Sequence, residues 1–406
     1  YDFSGKLRIK ALAATSAPAE SGVADTIYCT VQGESVEYQW YVDDQLQTSD
    51  SAAFIWTPGA TGMARIRAVV SADGRMAQDS LLLDVVALIP AYPVIDTLFA
   101  DQKWYKPGDV FLVDAEVHDP KGLDLTLDWT VDHATILEQN ESQIKVQAPS
   151  EGGVISITLS ASNYDKQTQQ TLQVLITEDA MLTAPLVHLP LNGNPQDVSI
   201  NQFSTNLQGG SYVAAPTEQA GEVLVLAGQS DELVIANQPA LNFGDAITIS
   251  FWAYFTDFAQ ERFVISHGGW EQRWKVSTTT DQRLRWTVNT TAGIKDLDAS
   301  VILEKFKWYH FTVVYGDGAM QIFSNGELDA FVGHTGQINA AEVGVSIGKR
   351  LPGDAQYYLK GRVDEIRIYS EPAGPTQAAT LPEEWYEQPP LSIRQERFHL
   401  YPNPVR

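Results

Sequence analysis

Apolar and polar residues alternate along Ala246-Ile-Thr-Ile-Ser-Phe-Trp-Ala-Tyr-Phe255, so that Ile247, Ile249, Phe251 and Phe255 fall on one side of an extended chain. Successive side chains leave a strand in opposite directions, and a period of two therefore predicts a strand with one buried face. Segments of the same kind, separated by turn residues, fill the stretch from Pro185 to about Glu371, which ends in Gly361-Arg-Val-Asp-Glu-Ile-Arg-Ile-Tyr369. Asn325-Gly326 sits between two strand-like runs. That dipeptide predicts a tight hairpin, because both turn positions need positive φ. So many strands in about 190 residues predict one large two-sheet sandwich or jelly roll.

The preceding residues carry the pattern twice on a smaller scale. In residues 1–88, Ile27–Val31, Glu37–Tyr41 and Ala64–Val70 read as strands separated by Gly, Asp and Ser. Residues 89–178 repeat the plan, with Val154–Ala161 in the place of Ala64–Val70. An internal duplication of a small β-sandwich is predicted. Leu88-Ile-Pro-Ala-Tyr-Pro93 and Thr177-Glu-Asp-Ala180 are short enough to predict a semi-rigid rod. After Glu371 the composition shifts to Pro, Ala, Thr and Glu, which predicts an extended linker within 373–406.

Composition narrows the class. The chain has 406 residues, 44% of them hydrophobic, enough for several cores. Its formal net charge of −24 argues against nucleic acid and anionic membrane surfaces as partners. No apolar run is long enough to span a bilayer. A single cysteine, Cys29, rules out an internal disulfide and says little about compartment. The chain starts at Tyr1 without a methionine or signal peptide, which reads as a processed product or an excised piece.

Five pieces of the large stretch resemble, in order, the laminin-G-like jelly roll of the concanavalin A-like superfamily in its bacterial secreted form. They are Leu189–Asn194, Ile247–Ala253, Trp308–Tyr315, Ile322–Glu327 and Val363–Tyr369. In the first sandwich, Cys29 followed by Trp40 resembles the immunoglobulin pattern, with Ala68 in the strand where a second cysteine would be expected. In the second, Asp119-Pro-Lys-Gly122 followed by Trp129 resembles polycystic-kidney-disease (PKD)-type domains. Leu400-Tyr-Pro-Asn-Pro-Val405 looks like the opening of the C-terminal sorting signal of type IX secretion in Bacteroidota. These resemblances imply an all-β chain: immunoglobulin-like at 1–88, immunoglobulin/PKD-like at 89–178, a concanavalin A-like jelly roll at 183–372. They also imply export by the type IX machinery to the cell surface or medium.

Three groups of residues are candidate chemistry. Strict alternation would place Asp364 on one face with Ile366 and Ile368, and a buried carboxylate needs a cation or hydrogen-bond donors. Related jelly rolls hold a structural Ca2+ at such a strand, which implies Asp364 with Asn192 and Asp197 as oxygen ligands; backbone N–H groups are the alternative. On the hairpin Arg273–Thr290, Trp274, Val276, Leu284, Trp286 and Val288 read as core, and Arg273, Lys275, Arg283 and Arg285 as the opposite face. Two readings of that basic face stand, an anionic glycan held by guanidinium groups or pairing with acidic residues elsewhere on the sheet. Trp270, in Gly268-Gly-Trp-Glu271, is the expected exposed aromatic for stacking on a sugar. Catalysis has little support: no hydrolase or phosphate-loop motif is present, and Asp364-Glu365 are adjacent rather than paired across a cleft.

The expected function is that of a non-catalytic region of a secreted or cell-surface protein. Its jelly roll would bind carbohydrate or another cell-surface ligand, and its sandwiches would act as spacers. The alternatives are an adhesion stalk that binds proteins, and the accessory region of a hydrolase whose catalytic domain lies upstream.

Overall fold

The computed structural model describes residues 7–216 and 221–385, and in them the strand periodicities resolve into six β-sheets. The motif Leu400–Val405 lies outside the described residues.

The first sandwich pairs Arg8–Ala14, Asp25–Gln32 and Ala53–Trp56 in one sheet. Its other sheet runs Ala19–Glu20, Arg75–Val86, Gly62–Ala72, Glu37–Val42, Gln45–Leu46. The second sandwich repeats this order except at one edge, where Thr135–Gln139 joins Gln143–Gln147 in the first sheet in place of Gln45–Leu46 in the second. Val94–Ala100, Val110–His118 and Gln143–Gln147 are neighbours in one sheet, and Trp104–Tyr105, Lys166–Ile176, Gly153–Asn163 and Thr126–Asp132 in the other. Even the short parallel pairing at the sheet edge recurs, Ala19 with Val85 and Trp104 with Leu175. Trp40 is fully buried beside Phe54, and Cys29 and Ala68 belong to the same cluster. The Trp40 indole N–H donates to the Ser51 carbonyl at 2.9 Å, which removes the cost of burying it. Apolar packing holds this core without a bridge.

The third unit is a jelly roll of two apposed sheets. Sheet I runs Ser211–Ala214, Glu222–Leu226, Gly361–Tyr369, Ile247–Phe255, Trp308–Gly316, Ala319–Ser324, Glu327–Gly333. Sheet II runs Thr205–Gln208, Glu232–Ile235, Val345–Ile347, Arg262–His267, Trp274–Thr278, Leu284–Thr290, Gly293–Asp298. Ile247, Ile249, Phe251 and Phe255 from sheet I meet Trp274, Val276, Trp286 and Val288 from sheet II in one core. The hairpin at Asn325-Gly326 turns as its residues demand, with φ of 54° and 89°.

Two expectations about backbone course are corrected. Glu365 has a φ of 46°, and the register slips there, Asp364 facing Trp252 while Arg367 faces Ser250. This bulge resets the alternation. Val363, Ile366 and Ile368 all enter the core, and Asp364 is buried on the opposite face of sheet I, not beside the two isoleucines. The second correction concerns the segment after Glu371, which is not extended up to Trp385. Gly374 precedes a helix at Pro375–Thr380 that starts on proline and continues as a tight turn over Leu381–Trp385.

That helix closes a junction. Ala373 and Ala378 share a buried cluster with Leu175 of the second sandwich and Val314, Ala319 and Phe323 on the outer face of sheet I. Asp179 caps the helix, accepting from the Thr376 N–H at 3.0 Å and its hydroxyl at 2.8 Å. Lys103 Nζ donates to the Leu328 carbonyl at 3.0 Å. The Thr177–Ala180 segment, expected as a linker, is part of this packed interface.

Candidate functional site

The outer face of sheet II carries most of the residues singled out from sequence, but it is not an open basic face. Arg273 is the first exception. It follows the short helix Gly269–Gln272 with φ −139° and ψ −77°, which breaks the strand alternation. Its buried guanidinium donates to the Asn339 carbonyl at 3.0 Å, to Asn242 Oδ1 at 3.3 Å and to the Phe243 carbonyl. Burial pushes its pKa down to about 10. Arg273 is a structural clamp under a loop.

The other three cations are partnered. Lys275 meets Glu261, and its Nζ donates to Ser277 Oγ at 3.0 Å. Arg283 donates to the Ala299 and Ser300 carbonyls at 2.8 and 2.6 Å and faces Asp281 at 3.3 Å. Arg285 grips Asp298 with two bonds of 2.6 and 2.7 Å, and this hydrogen bonding pushes its pKa up. Cross-strand pairing prevails because Arg285 sits directly opposite Asp298 in the register.

Trp270 is half-buried rather than exposed. Its ring lies 6.3 Å from Phe263 and 6.4 Å from Tyr357. Lys275 Nζ stands 5.8 Å from its centroid and the Arg350 guanidinium 5.6 Å. Arg350 is itself held by Asp354 at 2.7 Å and faces Glu271 at 3.5 Å. From Trp270 a polar strip runs across neighbouring strands through Lys275, Ser277 and Arg285 to Asp298. Each charge on it is neutralised locally; Lys275 and Ser277 are buried, and Arg285 and Asp298 are its partly exposed pair.

Of the expected calcium ligands, Asp197 and Asn192 have hydrogen-bond partners within the protein. Asp197 already accepts from the backbone N–H groups of His188, Ser199 and Phe203 at 2.9, 2.9 and 2.8 Å, and from the Ser199 hydroxyl. Asn192 Oδ1 accepts from the Glu222 N–H at 3.1 Å. Asp364 lies across the bulge on the outer face of sheet I. Among the described residues no trio of His, Cys, Asp or Glu is placed to hold a metal.

Sheet I bears an aromatic row that the sequence reading passed over. Register puts Tyr254 between Arg362 on one neighbouring strand and Trp308 on the other. Tyr254 lies 5.5 Å from Trp308, and the Arg362 guanidinium carbon is 4.9 Å from the Tyr254 centroid. Phe306 leans on the same ring at 6.3 Å. The signal in the sequence was Lys305-Phe-Lys307, an aromatic between cations in an acidic chain. The junction with the second sandwich leaves a cleft of about 590 Å3 between Glu151 and His334, lined by none of the residues predicted from sequence.

Among the described residues no helix is long and apolar enough to cross a membrane. A search of curated proteins finds no match. Among solved structures, the binding domain of Paraclostridial Mosquitocidal Protein 1 is 16% identical, with a TM-score of 0.43 over 50% of this chain and 53% of that one. Domain 4 of AbnA, a GH43 extracellular arabinanase from Geobacillus stearothermophilus, in complex with arabinotriose, is 16% identical, with a TM-score of 0.41 over 50% of this chain and all (100%) of that one. A structure of botulinum neurotoxin type C, whose cell entry is described as dependent on two ganglioside molecules, is 14% identical, with a TM-score of 0.41 over 50% and 51%. The chain spans about half the length of the mosquitocidal and botulinum structures. Residues 227–379 match the concanavalin A-like lectin/glucanases superfamily. The C-terminal half of the chain is a concanavalin A-like jelly roll, carried behind two small β-sandwiches.

Proposed function

We propose that the jelly roll is a non-catalytic carbohydrate-binding head and that the two sandwiches, read as immunoglobulin/PKD-like, are its spacers. The observation that carries this reading is the Trp270 strip. A half-buried indole ring has Lys275 and Arg350 beside it, and the partly exposed pair Arg285–Asp298 lies further across the same sheet. Sugars are recognised by such a combination, a ring for the C–H face and directed donors and acceptors for the hydroxyls. Because Lys275, Arg285 and Arg350 are neutralised, a neutral glycan suits this strip better than an anionic one. The residues at Leu400–Val405 support export by the type IX route to the cell surface or medium.

A glycan-array screen of the whole chain, with and without Ca2+, tests the reading. Trp270→Ala should abolish binding to neutral glycans while the chain, somewhat destabilised by the lost ring contacts, stays folded by circular dichroism. Silence across the array with the chain folded would sink the proposal.

A second reading, a structural or adhesive stalk, is favoured by the junction, where the second sandwich, the helix Pro375–Thr380 and sheet I share one cluster. It predicts that silence, together with rigid coupling of the two units.

A further inference from the structure

Phe306 is an exposed phenylalanine in a backbone conformation that bulky residues rarely adopt. Its φ is 65° and the residue is 65% exposed. Its backbone N–H is tied to the Phe255 carbonyl at 2.8 Å. Strained backbone of this kind persists only where its surroundings impose it, and it concentrates at ligand sites. Here little apolar burial compensates the strain, because the side chain stands largely in solvent. What the conformation does is set the ring against Tyr254, at 6.3 Å and 57°.

Arg362 supplies the second observation. Every other described arginine of the jelly roll has its guanidinium engaged. Arg262, Arg283, Arg285, Arg350 and Arg367 each meet a carboxylate, and Arg273 meets carbonyls. Arg362 makes no ion pair or side-chain hydrogen bond among the described residues, and its guanidinium rests over Tyr254. In a chain of net charge −24 this is the exception. Lys360 adds positive charge at the same end, where its carbonyl accepts the Thr256 N–H at 3.0 Å.

We infer that Phe306, Tyr254 and Arg362 form a second binding site, on the sheet opposite Trp270, for a saccharide that bears a carboxylate, a uronate-type sugar. The C–H face of the sugar ring stacks on Phe306 and Tyr254. Its planar carboxylate meets the guanidinium in the two-pronged geometry that a fork of N–H donors provides. Its seat over the Tyr254 ring, 4.9 Å from the centroid, preorganises that fork, so that little side-chain freedom is lost on binding. This site goes beyond the neutral-glycan reading and stands or falls without it.

Calorimetric titration of the whole chain with tetragalacturonate, with galactotetraose as the neutral probe and a sulfated carrageenan tetrasaccharide as the other anion, tests the inference. Tetragalacturonate should bind, and more weakly as salt rises. Arg362→Gln should weaken it about tenfold to a hundredfold. Phe306→Gly should weaken it comparably while holding or raising the melting temperature, since glycine accepts the positive φ without strain. A phenylalanine kept for packing would instead lower it. Trp270→Ala should leave the uronate affinity unchanged. The inference is overturned if the folded chain does not bind tetragalacturonate, prefers the sulfated sugar, keeps its affinity in both site variants, or loses it only in Trp270→Ala.

Discussion

Gly152 of the second sandwich lies so close against Asp317 of the jelly roll that a Cβ there would stand 2.7 Å from both the Asp317 Cβ and its carbonyl oxygen. Nearby, the Thr177 hydroxyl faces Asp317 Oδ2 at 3.4 Å. Contact of this kind should couple the unfolding of the two units. Gly152→Ala forces backbone apart and should cost the junction roughly 1–3 kcal/mol. In scanning calorimetry a shared transition should split in two. A single unshifted transition would show that the junction contributes nothing.

Arg273 and Arg285, alike in sequence, should behave differently on substitution. Arg273→Met strands the Phe243 and Asn339 carbonyls in the interior and should destabilise by roughly 2–4 kcal/mol. Arg285→Met breaks a pair that is about one-third exposed and should cost about 1 kcal/mol or less. Urea unfolding of the two variants gives the comparison, and equal losses would contradict this account.

Two buried histidines should make the jelly roll acid-sensitive above the carboxylate range. Burial, with help from Arg367, pushes His310 down to about 3, and burial with Arg273 pushes His267 to about 4, against an ordinary 6.5. Ser250 meets His310 Nε2 at 2.9 Å, and His267 Nε2 meets the Val343 carbonyl at 2.9 Å. As pH falls below 6.5 the unfolded chain takes up these protons first. Their contribution is therefore complete above that pH and is lost as pH falls toward 4 and 3, by up to ~1.4 kcal/mol per pH unit for each ring. Melting temperature should drop between pH 6.5 and 4.5, and the slope should shrink in His267→Gln. A flat profile would rule this out.

Cys29 reports on the first sandwich alone. It is buried beside Trp40, and burial raises its thiol pKa, so native protein should react slowly with a thiol reagent. The reaction should accelerate only when this sandwich opens. Rapid labelling without denaturant would mean that the Cys29–Trp40 core is not packed as described.

Alternation and turn chemistry are local, and on their own they determined a great deal here. Ile247, Ile249 and Phe251 announced a strand and its buried face, Asn325-Gly326 announced its hairpin, and Trp274 and Trp286 fell in the core as the period required. Strand-like runs recurring in residues 1–88 and 89–178 announced two small units, while their strand order in the sheets is tertiary. Tertiary structure decided the rest, because partners come from strands remote in sequence. The bulge at Glu365 moved Asp364 to the other face, Asp298 captured Arg285, and loop carbonyls captured Arg273. Pro375–Thr380 looked like a linker until a groove between two units could bury Ala378. The row Arg362–Tyr254–Trp308 exists only across three paired strands, and no window of sequence contains it.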